Sequence, residues 1–127
     1  MRSIALMGLS ALIALGFAGA ALADTMSETY GNTLLATNDK GETTKVWFKA
    51  DNTYTSEDVK GVKGSGKWII RDGKYCSTPN LAADAPAGTA APKEACFAYE
   101  PNHKVGDKWS QKDADGRMFN AEIRKGA

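Results

Sequence analysis

Lys67-Trp68-Ile69-Ile70-Arg71-Asp72-Gly73-Lys74-Tyr75-Cys76-Ser77 is the stretch that decides the fold. Asp-Gly between two arms rich in β-branched and aromatic residues marks a two-residue hairpin, because both central residues of that turn need a left-handed backbone. Trp68 and Ile70 share one face of the first arm, and in the second Tyr75 faces opposite to Cys76. Upstream the pattern repeats. Thr43 to Ala50 alternates, with Thr44, Val46 and Phe48 on one face and Thr43, Lys45, Trp47 and Lys49 on the other. Asp51-Asn52 then turns the chain into Thr53-Tyr54-Thr55-Ser56. Thr33 to Thr37 is a short strand closed by the turn cluster Asn38-Asp39-Lys40-Gly41. Gly61, Gly64 and Gly66 read as a flexible connection.

Downstream, Ala95 to Glu100 forms a strand with Phe97 and Tyr99 on one face, and Asp107 to Gln111 surrounds Trp109. Asp113-Ala114-Asp115-Gly116 turns, and Arg117 to Lys125 places Phe119, Ala121 and Ile123 together. About eight short strands follow residue 32, with no helix signal after residue 23. The fold class is therefore all-β: a small antiparallel up-and-down meander in a closed or nearly closed barrel, with a two-layer sandwich as the alternative.

The chain has 127 residues, and its first 23 have the form of a secretion leader: Arg2, an apolar run from Ile4 to Phe17, then Ala21-Leu22-Ala23. Cleavage is expected after Ala23, giving a periplasmic or secreted product with no membrane span. Residues 24–32 are polar and expected to be flexible, and residues 33–127 form a single β domain. Beyond the leader, basic and acidic residues balance, so neither nucleic acid nor an anionic membrane is an expected partner. A monomer is expected.

Cys76 and Cys96 are the two cysteines, and in an oxidising compartment they are expected to form one disulfide. Tyr75 and Phe97 face opposite to them, which puts the sulfurs on neighbouring strands outside the core and the rings inside. The tethered segment 77–95 carries three prolines and reads as an irregular surface excursion.

Phe48-x-x-Asp51-x-x-Tyr54, Gly66-Lys67-Trp68, Asp72-Gly73-Lys74, the two cysteines and Val105-Gly106-Asp107-Lys108-Trp109 occur in this order. The arrangement resembles short secreted bacterial proteins of unknown function whose sheets are similar to those of lipocalin-like and avidin-like barrels. The resemblance spans about Tyr30 to Arg124. It implies the barrel and brings no substrate with it.

Catalytic and metal chemistry find little material. His103 is the one histidine and falls in Pro101-Asn102-His103-Lys104, which reads as an exposed turn. Asp113 would open a calcium loop, but its twelfth position is Arg124, a cation. No cofactor, metal ligand set or catalytic residue is assigned, and the chain is not expected to be an enzyme. Phe48, Tyr54, Trp68, Tyr75, Phe97, Tyr99, Trp109 and Phe119 face inward and are expected to fill the barrel. Tyr54, Trp68, Tyr75, Tyr99 and Trp109, whose polar tips need partners, are the candidate contacts for a small amphipathic ligand at the mouth. The alternative is a protein-interaction module, an inhibitor or envelope accessory factor, that works through the outward Trp47 and the loop 77–95.

Overall fold

The computed structural model describes residues 24–127; the leader and its cleavage site lie outside the described residues. The strands are β1 (Thr33–Thr37), β2 (Thr43–Phe48), β3 (Thr53–Glu57), β4 (Lys63–Arg71), β5 (Lys74–Pro79), β6 (Ala95–Ala98), β7 (Lys108–Lys112) and β8 (Met118–Arg124). All eight belong to one antiparallel sheet in the order β6-β5-β4-β3-β2-β1-β8-β7. The chain runs up and down from β1 to β6, and the β7–β8 hairpin then comes back to pair with β1. The sheet curls into a nearly closed barrel whose seam lies between β6 and β7 rather than at the chain ends.

The tight turns sit where the residues allow them. Asp72 and Gly73 take φ of 54° and 72°, the left-handed pair that the Asp-Gly hairpin requires. Asn52 does the same at 68° between β2 and β3. The stretch expected to be a flexible connection through Gly64 and Gly66 is instead the first half of β4, the longest strand. Gly66 pairs with Tyr54, and a Cβ there would lie 2.5 Å from both the Tyr54 hydroxyl and the Thr78 carbonyl oxygen. The missing side chain lets the Tyr54 ring lie against the wall, a use of strand glycine that composition alone reads as a loop.

Residues 24–32 contain a helix that the sequence pattern does not announce. Thr25–Thr29 forms a short helix, α1, with Thr25, Met26 and Thr29 buried. Asp24 caps it, its carboxylate accepting from the Ser27 backbone N–H. Five residues cannot show a helical period, so no pattern announces α1. Tertiary contacts hold it. The Thr25 hydroxyl donates to the Glu100 carbonyl at 2.6 Å, and the Val105 backbone N–H donates to Glu28 at 3.1 Å. α1 thus stoppers one end of the barrel together with the β6–β7 connection.

The core gathers at that stoppered end. Met26, Phe48 and Trp68 form its buried centre, with Tyr30, Leu34, Val46, Tyr54, Ile70, Tyr75 and Tyr99 packed around them. Phe48 sits edge-on to both Trp68 and Tyr75 at centroid distances of 6.0 and 5.8 Å. On the outer wall Cys76 pairs directly with Cys96 across β5 and β6, and the two are joined by a disulfide. Cys76 alternates with the inward Tyr75, yet it is buried, because Arg71 reaches over it to an ion pair with Glu94.

Candidate functional site

The inward rings do not fill the barrel. A cavity of about 400 Å³ remains, floored by Met26, Thr25 and Thr29 of α1 and running to the opposite end, where Asn38, Glu42 and Asp113 surround the mouth. Strand direction and alternation explain its character. On β2 the inward residues from mouth to floor are Thr44, Val46 and Phe48; on β3, Ser56 then Tyr54; on β5, Ser77 then Tyr75; on β7, Gln111 then Trp109. Each of these four strands gives a polar group near the mouth and an apolar or aromatic one below it, whereas β1 and β8 present Ala36 and Phe119 there. On these four strands polarity falls from the mouth to the rings, and it returns at the floor, where Thr25, Thr29 and Glu100 line the cavity.

Of the five residues expected at a ligand site, Tyr54, Tyr75, Tyr99 and Trp109 line this cavity. Trp68 does not. It faces inward as expected, but it lies past the end of β3 at the stoppered end, where its indole N–H donates to the carbonyls of Lys49 (3.2 Å) and Thr53 (3.1 Å). Trp68 is a clamp on the β2–β3 turn. Sequence reading missed Thr44, Ser56, Ser77 and Gln111 because polar residues in half-polar strands carry no flag of their own. The usable sign was their position on the inward face of the same strand, two residues from a ring for Ser56, Ser77 and Gln111 and two from Val46 for Thr44.

Gln111 has a further task. Its side-chain oxygen accepts the Trp109 indole N–H at 2.7 Å, and its amide nitrogen donates to the Ala98 carbonyl on β6 at 3.0 Å. One side-chain amide thus spans the seam that the backbone ladder leaves open. Phe97 and Phe119 meet behind it with centroids 5.5 Å apart. Trp109 carries His103 flat on its ring at 3.7 Å, and His103 lies within 3.6 Å of Glu100 and 3.4 Å of Asp107. The turn expected to expose His103 instead leaves it half-buried, because the Thr25 hydroxyl accepts its backbone N–H. Asp107 sits below the ordinary carboxylate range, chiefly because the Lys104 backbone N–H donates to it, with His103 adding to the effect.

Tyr99 joins the cavity to the stopper: its hydroxyl donates to Asp24 and accepts the Met26 backbone N–H at 3.1 Å. Burial, with Asp24 beside it, pushes Tyr99 up to about 12. Burial also raises Tyr30, Tyr54 and, most strongly, Tyr75, so all four tyrosines of the chain sit above the ordinary value of 10.0. Asp24 is itself drawn up by burial, but the hydrogen bonds from Tyr99 and Ser27 together outweigh that and leave it below 3.8. The sign follows from linkage. A raised folded-state value gives stability that is complete below pH 10 and is lost as pH climbs through the folded values. The tyrosinate absorbance near 295 nm is therefore expected to rise at higher pH than that of free tyrosine, with its last part accompanying unfolding by circular dichroism. Ordinary titration at pH 10 with the fold intact would contradict the packing described.

Trp47 points outward, as the alternation requires, and is half-buried, its indole N–H donating to the Thr33 hydroxyl oxygen at 3.0 Å. It borders an outer depression with Thr55, Glu57 and Lys63. The loop from Asn80 to Glu94 is without helix or strand. Among the described residues no helix is long and apolar enough to cross a membrane.

Comparison with protein-family models, with curated proteins and with solved structures finds no match for the chain. The geometry of the cavity therefore carries the functional reading.

Proposed function

We propose that this is a non-enzymatic binding protein of the periplasm or the extracellular space, one that takes a small amphipathic molecule tail-first into its barrel. The observation that carries this reading is the graded cavity. Its volume of about 400 Å³ falls within the range of small-molecule sites, and on β2, β3, β5 and β7 its walls pass from hydroxyl and amide groups near the mouth to apolar and aromatic side chains below. A molecule with one polar end and an apolar body matches that gradient in a single orientation. The secreted proteins with lipocalin-like and avidin-like sheets are the group we propose for it, and the nearly closed eight-stranded barrel supports that placement. The Cys76–Cys96 disulfide supports an oxidising compartment and, with it, cleavage of the leader after Ala23. The non-enzymatic reading draws on His103, the one histidine, which packs on Trp109 and does not line the cavity. The alternative, a protein-interaction module built on Trp47 and the loop 77–95, ranks second, since the Trp47 indole N–H is already engaged within the chain.

Native mass spectrometry of protein recovered from a bacterial periplasm tests the reading. An added mass that survives in the native spectrum and vanishes on denaturation is expected, and Ala36→Trp, which fills the cavity from β1, is expected to abolish it. An added mass retained by a folded Ala36→Trp variant would remove the cavity from the account. The denatured mass also reports the leader cut and the two hydrogens lost on disulfide formation.

A further inference from the structure

We propose that the cavity selects an organic amine, an apolar body bearing one protonated nitrogen; this rests on the binding reading above. Three observations point the same way. Glu42, Glu100 and Asp113 line the cavity, and among the described residues no lysine, arginine or histidine does, in a chain with 16 lysines and arginines. The local sign is therefore negative although the protein as a whole is close to neutral.

Two of these carboxylates have capacity to spare at the mouth. Glu42 accepts the Asn38 side-chain amide at 3.0 Å through Oε1 alone, and Asp113 accepts the backbone N–H groups of Asp115 and Arg117, each at 2.9 Å, through Oδ1 alone. Oε2 of Glu42 and Oδ2 of Asp113 accept no hydrogen bond from the described residues, and neither side chain is in an ion pair with them. Glu100 differs, because its carboxylate is turned to His103 at 3.6 Å. The aromatic lining, Tyr54, Tyr75, Phe97 and Phe119, is of the kind that favours a cation over an anion. A fatty acid would set its carboxylate against Glu42 and Asp113 with no cation in the wall to compensate. An alkyl or arylalkyl ammonium would place its N–H donors on the two spare oxygens and its body among the rings.

The test uses three near-isosteric probes, 4-phenylbutylamine, 4-phenylbutanol and 4-phenylbutyrate, titrated calorimetrically into the delipidated mature protein. The amine is expected to bind about tenfold or more tightly than the alcohol and the acid most weakly, with the spread narrowing as salt is added. In Glu42→Gln/Asp113→Asn, whose side chains keep the oxygens used in the turns, the amine is expected to lose its advantage and to bind no more tightly than the alcohol does to the same variant. Equal binding of amine and alcohol, or tighter binding of the acid, would overturn the amine inference and leave the cavity reading standing. An amine preference that survives in the double variant would overturn the roles of Glu42 and Asp113. Failure of all three probes to bind at millimolar concentration would overturn the binding reading as well.

Discussion

Trp68→Ala is expected to lower the free energy of unfolding by about 3–5 kcal/mol, the usual cost of deleting a large buried ring. Trp68 is 7% exposed and sits among Phe48, Tyr30 and Met26 at the stoppered end. Its loss removes packing from two rings and withdraws the donor that holds the carbonyls of Lys49 and Thr53. For a domain of this size, several kcal/mol is a large part of the total stability. Trp68→Phe separates the two contributions. It keeps most of the apolar contact and loses the indole N–H, so it is expected to fall between wild type and alanine. Urea unfolding followed by circular dichroism reads both variants. A loss below about 1 kcal/mol for alanine would show that Trp68 is not the clamp described.

Removing the disulfide by Cys76→Ser/Cys96→Ser is expected to cost about 2–5 kcal/mol, with chain entropy alone giving about 3 for a loop of this length. The effect should not be uniform. β6 has only four residues, its single ladder partner is β5, and across the seam one Gln111 amide reaches it. Hydrogen exchange is the better measurement for that reason. Amides of Ala95–Ala98 are expected to lose protection first in the reduced or substituted protein, while β1–β4 and β8 stay protected. A global, simultaneous loss of protection would mean that β6 is integral to the cooperative unit rather than clipped onto it.

The barrel was legible because its turns and its alternation agree. Asp72-Gly73 and Asn52 announce left-handed turns that the structure contains, and the phase read through Val46 and Phe48 puts all eight rings on the inner face. Cys76 and Cys96 meet in register for the same reason. What was not legible depends on contacts between residues far apart in the chain. α1 exists because Glu100 and Val105 hold it, some 75 residues away. Gly66 belongs to a strand because Tyr54 occupies the space beside it. The cavity itself cannot be read by counting rings, since eight aromatic side chains can fill a barrel or line one according to how they tilt. Its polar rim was open to inference once the phase was known, because Ser56 and Ser77 stand two residues from an inward ring and Thr44 shares the face of Val46 and Phe48.

The seam between β6 and β7 leaves the girth of the barrel set there by side chains and not by a backbone ladder. In a fully laddered cylinder, widening the bore means breaking a column of backbone bonds. Here the circumference is completed by a single primary amide, so one rotamer change at Gln111 would release it. The same amide holds the Trp109 indole, so a guest that displaced it would enlarge its own room and free a tryptophan as it did so. On the binding proposal above, that arrangement favours guests of graded bulk over one of fixed size, like a collar with a spare notch.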